Sequence, residues 1–298
     1  MQFIFSMSRF GGRLVAMVLM AMGTLACGFV GGAFSPNAVA TPTVTIQAEP
    51  LTLDGATATP AVTQTSPETA NTVTTPVVSG PIESLAITAP LPNQGVRGSI
   101  RVEGVSDATF EQQLGILVRD RGGKVVGSAT AKINSPIGQR GPFSAEVSIP
   151  AYLPTQSGRI IVYAIAPRDG GLTHLASIEV QLNSDQPANI AALNPNRDEA
   201  IVITEPAPNA TVKGLVKVSG MADPTSDQHL IVEVRGPHAE TLGRATATIG
   251  VANQRGSFSV DVPFRVNADP PGRIVVYSIH PRDGLTVHLN SVEVNLQP

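Results

Sequence analysis

A stretch of about 100 residues occurs twice in this chain, and that duplication constrains its folding more than any other feature. Leu85-Ala-Ile-Thr-Ala-Pro-Leu-Pro-Asn93 returns as Ile201-Val-Ile-Thr-Glu-Pro-Ala-Pro-Asn209, and Val96-Arg-Gly98 with Gly104 returns as Val212-Lys-Gly214 with Gly220, an offset of 116. Gln139-Arg-Gly-Pro-Phe143 matches Gln254-Arg-Gly-Ser-Phe258 at 115, and Gly158-Arg-Ile-Ile-Val-Tyr163 matches Gly272-Arg-Ile-Val-Val-Tyr277 at 114. Pro167-Arg-Asp-Gly170 with His174 then matches Pro281-Arg-Asp-Gly284 with His288. One-residue slips between matched blocks are what changes of loop length between paired strands produce. Two homologous domains are therefore expected at 84–183 and 199–298, joined by a polar, Pro-punctuated connector at 184–198.

Within each copy the pattern is all-β. Runs rich in Val, Ile and Thr at 99–105, 114–119, 143–149, 159–165 and 175–182 are separated by Gly, Pro, Asn and Asp, with no convincing helical window. About seven strands in about 100 residues is the size of an immunoglobulin-like sandwich, two sheets burying their inner faces against each other. The Cys, Trp, Cys core of antibody domains is missing, since the chain has one Cys and no Trp. Aliphatic side chains must fill the cores, with Phe143 and Phe258 and the strand tyrosines Tyr163 and Tyr277 as the large candidates.

The order Pro-x-Pro-Asn-x-x-Val-x-Gly, Arg-Gly-x-Phe, Gly-Arg-Ile-x-Val-Tyr and Pro-Arg-Asp-Gly, present in both copies, resembles the GerM-associated immunoglobulin-like domain of bacteria, also called the bacterial spore germination immunoglobulin-like domain. The resemblance covers both copies. It implies an extracytoplasmic β-sandwich with no enzymatic activity, of the kind often found beside other envelope or germination domains; no such companion domain is visible in this chain.

The segment before the first copy is of a different character. Arg9 and Arg13 are followed by an apolar run ending in Thr24-Leu25-Ala26-Cys27, a secretory signal with a lipobox-like end. This pattern places a signal peptide at 1–27 and lipid attachment on Cys27. Two other fates compete: the uncharged run at 14–34 is long enough to remain as an uncleaved anchor with both arginines on the cytoplasmic side, and Ala38-Val39-Ala40 offers a site for cleavage and release. All three put residues 41–298 outside the cytoplasm. Residues 28–83 are rich in Thr, Pro, Ala and Val, a composition that buries too little apolar surface to offset its ordering entropy and reads as a disordered stalk.

Composition removes several classes of function. A net charge of −3 offers no basic field for nucleic acid, and a single Cys excludes a disulfide framework and every Cys-based zinc site. No Gly-x-Ser-x-Gly elbow and no His-Glu-x-x-His occurs, so no catalytic residue, no cofactor and no metal ligand is assigned and no enzyme is expected. The candidate partner-binding residues are Arg168, Asp169 and His174 with their repeats Arg282, Asp283 and His288, because an Arg, a carboxylate and an imidazole at one hairpin can hold an anionic ligand. Asp-Gly at a hairpin tip with a surface ion pair is the plainer reading of the same residues. His280 and His288 would begin a metal site if they met, but Ala166 stands at the first position in the other copy. Asn194, Asn196, Asp198 and Glu199 have the composition of a calcium-stiffened junction, which polar linkers share. Arg140, Arg159, Arg255 and Arg273 recur as exposed strand arginines, suited to reading acidic glycans or a partner's carboxylates bidentately, though such residues more often solvate a sheet face. The expected role is binding or adhesion at the envelope through a partner protein or cell-wall glycan, with the membrane reached through the N-terminal lipid or anchor; a spacer or assembly module without a ligand site is the alternative.

Overall fold

A computed structural model describes residues 80–298 apart from 189, 192 and 269, so the signal, the Cys27 lipid site, the anchor and nearly all of the stalk lie outside the described residues. In the first copy β1 (Leu85–Ala89), β3 (Ser99–Ser106) and β6 (Gly141–Ser148) form one antiparallel sheet. β5 (Val125–Ile133), β4 (Gln113–Arg119), β7 (Gln156–Ile165) and β8 (Leu172–Leu182) form the other, with β2 (Gly95–Val96) running parallel along β8. The second copy repeats this. β9 (Ile201–Glu205), β11 (Leu215–Ala222) and β14 (Gly256–Pro263) make one sheet. β13 (Thr241–Thr248), β12 (His229–Arg235), β15 (Pro271–Ile279) and β16 (Thr286–Gln297) make the other, with β10 (Ala210–Lys213) parallel to β16. The described residues are all-β apart from one 3-10 turn at Phe110–Gln112, and form two tandem immunoglobulin-like sandwiches. Among the described residues no helix is long and apolar enough to cross a membrane.

Period-two alternation drives this architecture, because every second residue of a strand points to the same face. In β3 it sends Ile100 and Val102 inward, and in β4 it sends Leu114, Ile116 and Val118 to meet them, together with Ile160 and Val162 of β7. The second core uses Val216, Val218, Leu230, Val232, Val234, Ile274 and Val276 in the same way. Phe143 and Phe258 fill the cores as expected, and the repeated Gly104 and Gly220 have a packing cause: a Cβ at Gly104 would run into the Ala86 carbonyl oxygen and then the Phe143 ring, and one at Gly220 into the Val202 carbonyl oxygen and then the Phe258 ring.

Tyr163 and Tyr277 do not join these cores. Their neighbours Val162 and Val276 point inward, so alternation turns both tyrosines to the opposite face. There they pack against a third apolar cluster, Ile161, Leu175, Val275 and Leu289, to which both copies contribute. The copies also share backbone hydrogen bonding. β8 pairs antiparallel with β16 through Leu175↔Leu289, and Ile82 pairs with Asp198 in an isolated bridge. In both cases a residue faces its own counterpart in the other copy, so a pseudo-two-fold axis passes through the two pairs. The junction is isologous, as in a symmetric dimer, although one chain makes both halves.

Candidate functional site

Four polar side chains meet close to this axis. In β8 the inward phase runs through Ala176, Ile178, Val180 and Leu182, so His174, at the start of the strand, is carried inward as well. His288 occupies the corresponding place in β16. Glu83 and Glu199 precede β1 and β9 by two residues and share the phase of the buried Leu85 and Ile201. Glu83 is 0% exposed, Glu199 2%, His288 7% and His174 8%. Buried polar groups need partners, and these four supply one another.

His288 Nε2 lies 2.9 Å from Glu199 Oε1 and 3.4 Å from Glu83 Oε1. His174 Nε2 lies 3.4 Å from Glu83 Oε1 and 3.7 Å from Glu199 Oε2. The imidazole rings stand edge to face with centroids 5.3 Å apart. Each carboxylate is also fixed by the other copy. The Ser84 N–H donates to Glu199 Oε2 at 2.9 Å, and the Ala200 N–H, its counterpart, donates to Glu83 Oε2 at 3.2 Å. Arg197 Nη2 adds a bond of 3.1 Å to Glu83 Oε2.

The electrostatics are set by this geometry. Burial alone would lower the pKa of His174, but the Glu83 hydrogen bond and the charges of Glu199 and Glu83 outweigh it and hold it above the ordinary His value. Burial would raise Glu199, yet the His288 hydrogen bond, the charges of both imidazoles and the Ser84 N–H bring its pKa down to about 2.

Around the quartet the remaining candidate residues also pair across the junction. Arg168 Nη1 of the first copy donates to Glu293 Oε2 of the second at 2.9 Å, and Arg282 Nη1 of the second donates to Glu179 Oε1 of the first at 2.7 Å. Arg273 Nη1 lies 3.4 Å from Asp169 Oδ1, and Arg159 Nη2 lies 3.6 Å from Asp283 Oδ2. The Ser177 hydroxyl donates to the Val287 carbonyl and the Ser291 hydroxyl to the Thr173 carbonyl, both at 2.8 Å.

Several expectations from sequence are corrected here. The hairpin turns form, with Gly170 and Gly284 at φ 66° and 65° and the carboxylates of Asp169 and Asp283 accepting from the N–H two residues on. The carboxylates of Asp169 and Asp283 are almost fully buried where each hairpin docks on the other copy, while the Arg168–Glu293 and Arg282–Glu179 pairs beside them stay partly exposed at the surface. Arg159 and Arg273 are 3% and 1% exposed and do not solvate a sheet face. Arg140 and Arg255 bind Asp107 and Asp223 at 2.6 Å each. His288 meets His174 of the other copy; His280 lies by Glu179 and Asp283. Glu199 turns away from the linker into the quartet, while Asn194 Oδ1 accepts from the Asn196 N–H, so the four linker groups do not converge on a calcium-like site. Glu83, counted in sequence as the last stalk residue, is buried.

The four central groups are two carboxylates and two imidazoles buried against one another, an arrangement that can compensate charge and ligate a cation. Among the described residues they form a group whose potential metal-ligating atoms all lie within 4.8 Å of one another. The sequence reading assigned no such set because it paired His288 with His280, weighed Glu199 with the linker and left Glu83 in the stalk. The available signal was the repetition of a Glu two residues before the first strand and of an inward-phase His in the last one.

No curated protein matches the chain. Among solved structures, the N-terminal Ig1-2 module of the Drosophila receptor protein tyrosine phosphatase DLAR is similar at 13% identity over 72% of this chain and 100% of that one, with a TM-score of 0.20. A chimeric titin Z1Z2-Z1Z2 tandem, functionalised with a GRGDS exogenous peptide from fibronectin, is similar at 12% identity over 71% of this chain and 97% of that one, with a TM-score of 0.19. Scores this low carry no argument about how the copies are arranged. The immunoglobulin-like domain of bacterial spore germination matches at residues 84–171 and again at 200–285, one match per sandwich and more than half of the chain. The chain belongs to that family, with two tandem copies of its domain.

Proposed function

We propose that the protein is a non-catalytic, extracytoplasmic envelope module, tethered through Cys27 and the Thr/Pro-rich segment, whose two sandwiches act as one rigid block. The observation that carries the rigid block is the use made of the candidate ligand residues: Arg168, Asp169, Arg282 and Asp283 pair with the opposite copy, and His174 and His288, beside the glutamate of their own copy, also reach that of the other at 3.7 and 3.4 Å. A junction of this kind favours the assembly or spacer role over capture of an anionic ligand by the hairpins. An envelope protein or cell-wall glycan would then meet the outer surfaces of the block, away from the axis.

Backbone relaxation of the full chain tests the rigid block. A single rotational correlation time shared by 84–183 and 199–298 is expected, and two independent times would overturn it. The intact mass of the mature protein from its native cells tests the tether. A mass starting at Cys27 with acyl chains, lost on Cys27→Ala, is expected; a mass starting at Thr41 would move the protein to the medium and end that part of the reading.

A further inference from the structure

We infer that Glu83, His174, Glu199 and His288 form a divalent transition-metal site, with Zn2+ the best fit, that staples the two sandwiches together at their pseudo-two-fold axis. The first argument is geometric. Zinc bonds to imidazole nitrogen and carboxylate oxygen are about 2.0–2.1 Å, so two ligand atoms on a tetrahedron are separated by about 3.3 Å. Between the histidine Nε2 atoms and the Oε1 atoms of the glutamates three separations are 2.9, 3.4 and 3.4 Å, close to that edge length, while His174 comes to 3.7 Å of Glu199 through Oε2. All four ligand atoms lie within 4.8 Å of one another, so one ion at the centre reaches all four groups once the longest separations close by up to about 1.5 Å.

Charge supplies the second argument. The two buried carboxylates need positive charge nearby, since burial of uncompensated charge is severely unfavourable, and the half-exposed Arg197 reaches only Oε2 of Glu83. A dication with two neutral imidazoles provides that balance from a single centre. Two imidazoles and two carboxylates with no thiolate suit a borderline metal held tetrahedrally, and the hard cations calcium and magnesium prefer larger all-oxygen shells.

A third argument comes from the surroundings. Metal-binding carboxylates are normally oriented by hydrogen bonds on their second oxygen. Here Glu83 presents Oε1 to both histidines while its Oε2 is held by the Ala200 N–H and Arg197. Glu199 presents Oε1 to His288, and its Oε2 is held by the Ser84 N–H. Entry is provided twice. One cleft, bordered by Ser84, Asp107 and Thr173, reaches His174, and its two-fold counterpart, bordered by Ala200, Asp223 and Val287, reaches His288. Each half of the site comes from one copy, so ligation is a property of the tandem.

The test is made on the full chain, freed of metal with a chelator, shown to be folded by circular dichroism and titrated with Zn2+. One equivalent is expected to bind, and of the five histidines in the chain only the ring nitrogens of His174 and His288 should shift in long-range nitrogen-proton spectra. Co2+ in the same site should show the intense visible absorption of a four-coordinate ion. Glu83→Gln with Glu199→Gln should weaken Zn2+ binding by about 100-fold or more, at least the upper end of what loss of an outer-shell partner costs. A folded chain that takes up no Zn2+, a six-coordinate cobalt spectrum, or shifts at His229, His238 or His280 instead would overturn the assignment and leave the quartet an ion-pair latch. The histidine spectra use the unsubstituted chain, so the test survives a variant that fails to fold.

Discussion

Arg159 and Arg273 occupy the same position in the two copies and are both buried, yet their surroundings differ. Arg273 donates through Nε and Nη2 to Glu293 Oε1 at 2.9 and 2.5 Å and lies 3.4 Å from Asp169. Arg159 donates only to the Ser177 hydroxyl at 3.3 Å, lies 3.6 Å from Asp283, and leaves Nε and Nη2 without hydrogen-bond partners. The counterpart of Glu293 is Glu179, which binds Arg282 and has no bond to Arg159. Glu293, by contrast, accepts from Arg168 and Arg273 together. The connector lies beside one of the two arginines: Leu193, Asn194 and Arg197 border the cleft next to Arg159. A covalent connection between two copies cannot itself be two-fold symmetric. Identical residues therefore acquire different environments wherever the connector passes.

The largest effects should come from positions at which the copies agree. Phe143→Ala and Phe258→Ala each remove a buried ring and should each cost about 3–5 kcal/mol. If the junction couples the sandwiches, either change lowers the midpoint of one shared urea transition. Two separate transitions, with only the substituted copy affected, would show that the shared strand pairing and the quartet contribute little to cooperativity.

The next contrast is between the two arginines. Arg273→Ala removes one partner from a buried, paired set and should cost about 3–5 kcal/mol. Arg159→Ala removes a group that is already under-satisfied and should cost clearly less, about 1–2 kcal/mol, close to the loss of a hydrogen bond to a charged group. Equal shifts in urea midpoint would mean that the asymmetry of the contacts has no energetic consequence. A larger loss for Arg159 would reverse the comparison.

Much of the fold is legible from sequence because its signals are local. Alternation in 99–105 and 114–119 corresponds to β3 and β4, and the Asp-Gly turns sit where their dipeptides place them. The direction of Tyr163 and Tyr277 is legible too, once Val162 and Val276 are assigned inward. The junction is harder to read, since its contacts join residues far apart in sequence: Arg168 and Glu293 are 125 positions apart, Arg282 and Glu179 are 103, and even within one copy His174 and Glu83 are 91. No periodicity reports such a meeting. An imidazole in the inward phase of a buried strand is nevertheless a physical demand for a partner, and a repeated Glu next to the first strand is an offer of one. Assigning Glu83 to the stalk separated the two halves of that match.

The smallest expected effect lies where the copies differ in chemistry. In the first copy Tyr163 packs beside Leu117, and a Cβ at Gly115 would run into its ring. In the second copy Glu233 stands at the position of Leu117 and Ile231 at that of Gly115. The Tyr277 hydroxyl donates to Glu233 Oε1 at 2.9 Å, and Arg235 binds the other oxygen of that carboxylate at 2.9 Å. Burial, followed by the hydrogen bond and charge of Glu233, pushes the Tyr277 pKa from 10.0 up to about 12, against the opposing charges of Arg244 and Arg235. A raised value in the folded state means that the neutral phenol is favoured there. Its contribution to stability is thus complete below pH 10 and is lost as pH rises through about 12. Phenolate absorbance followed against pH should show one of the three tyrosines ionising late. Tyr277→Phe should abolish that late component, and Glu233→Gln, which keeps an acceptor but removes the charge, should move it toward 10. A late component that survives Tyr277→Phe would assign the perturbed phenol elsewhere and remove the chemical distinction between the two faces of the junction.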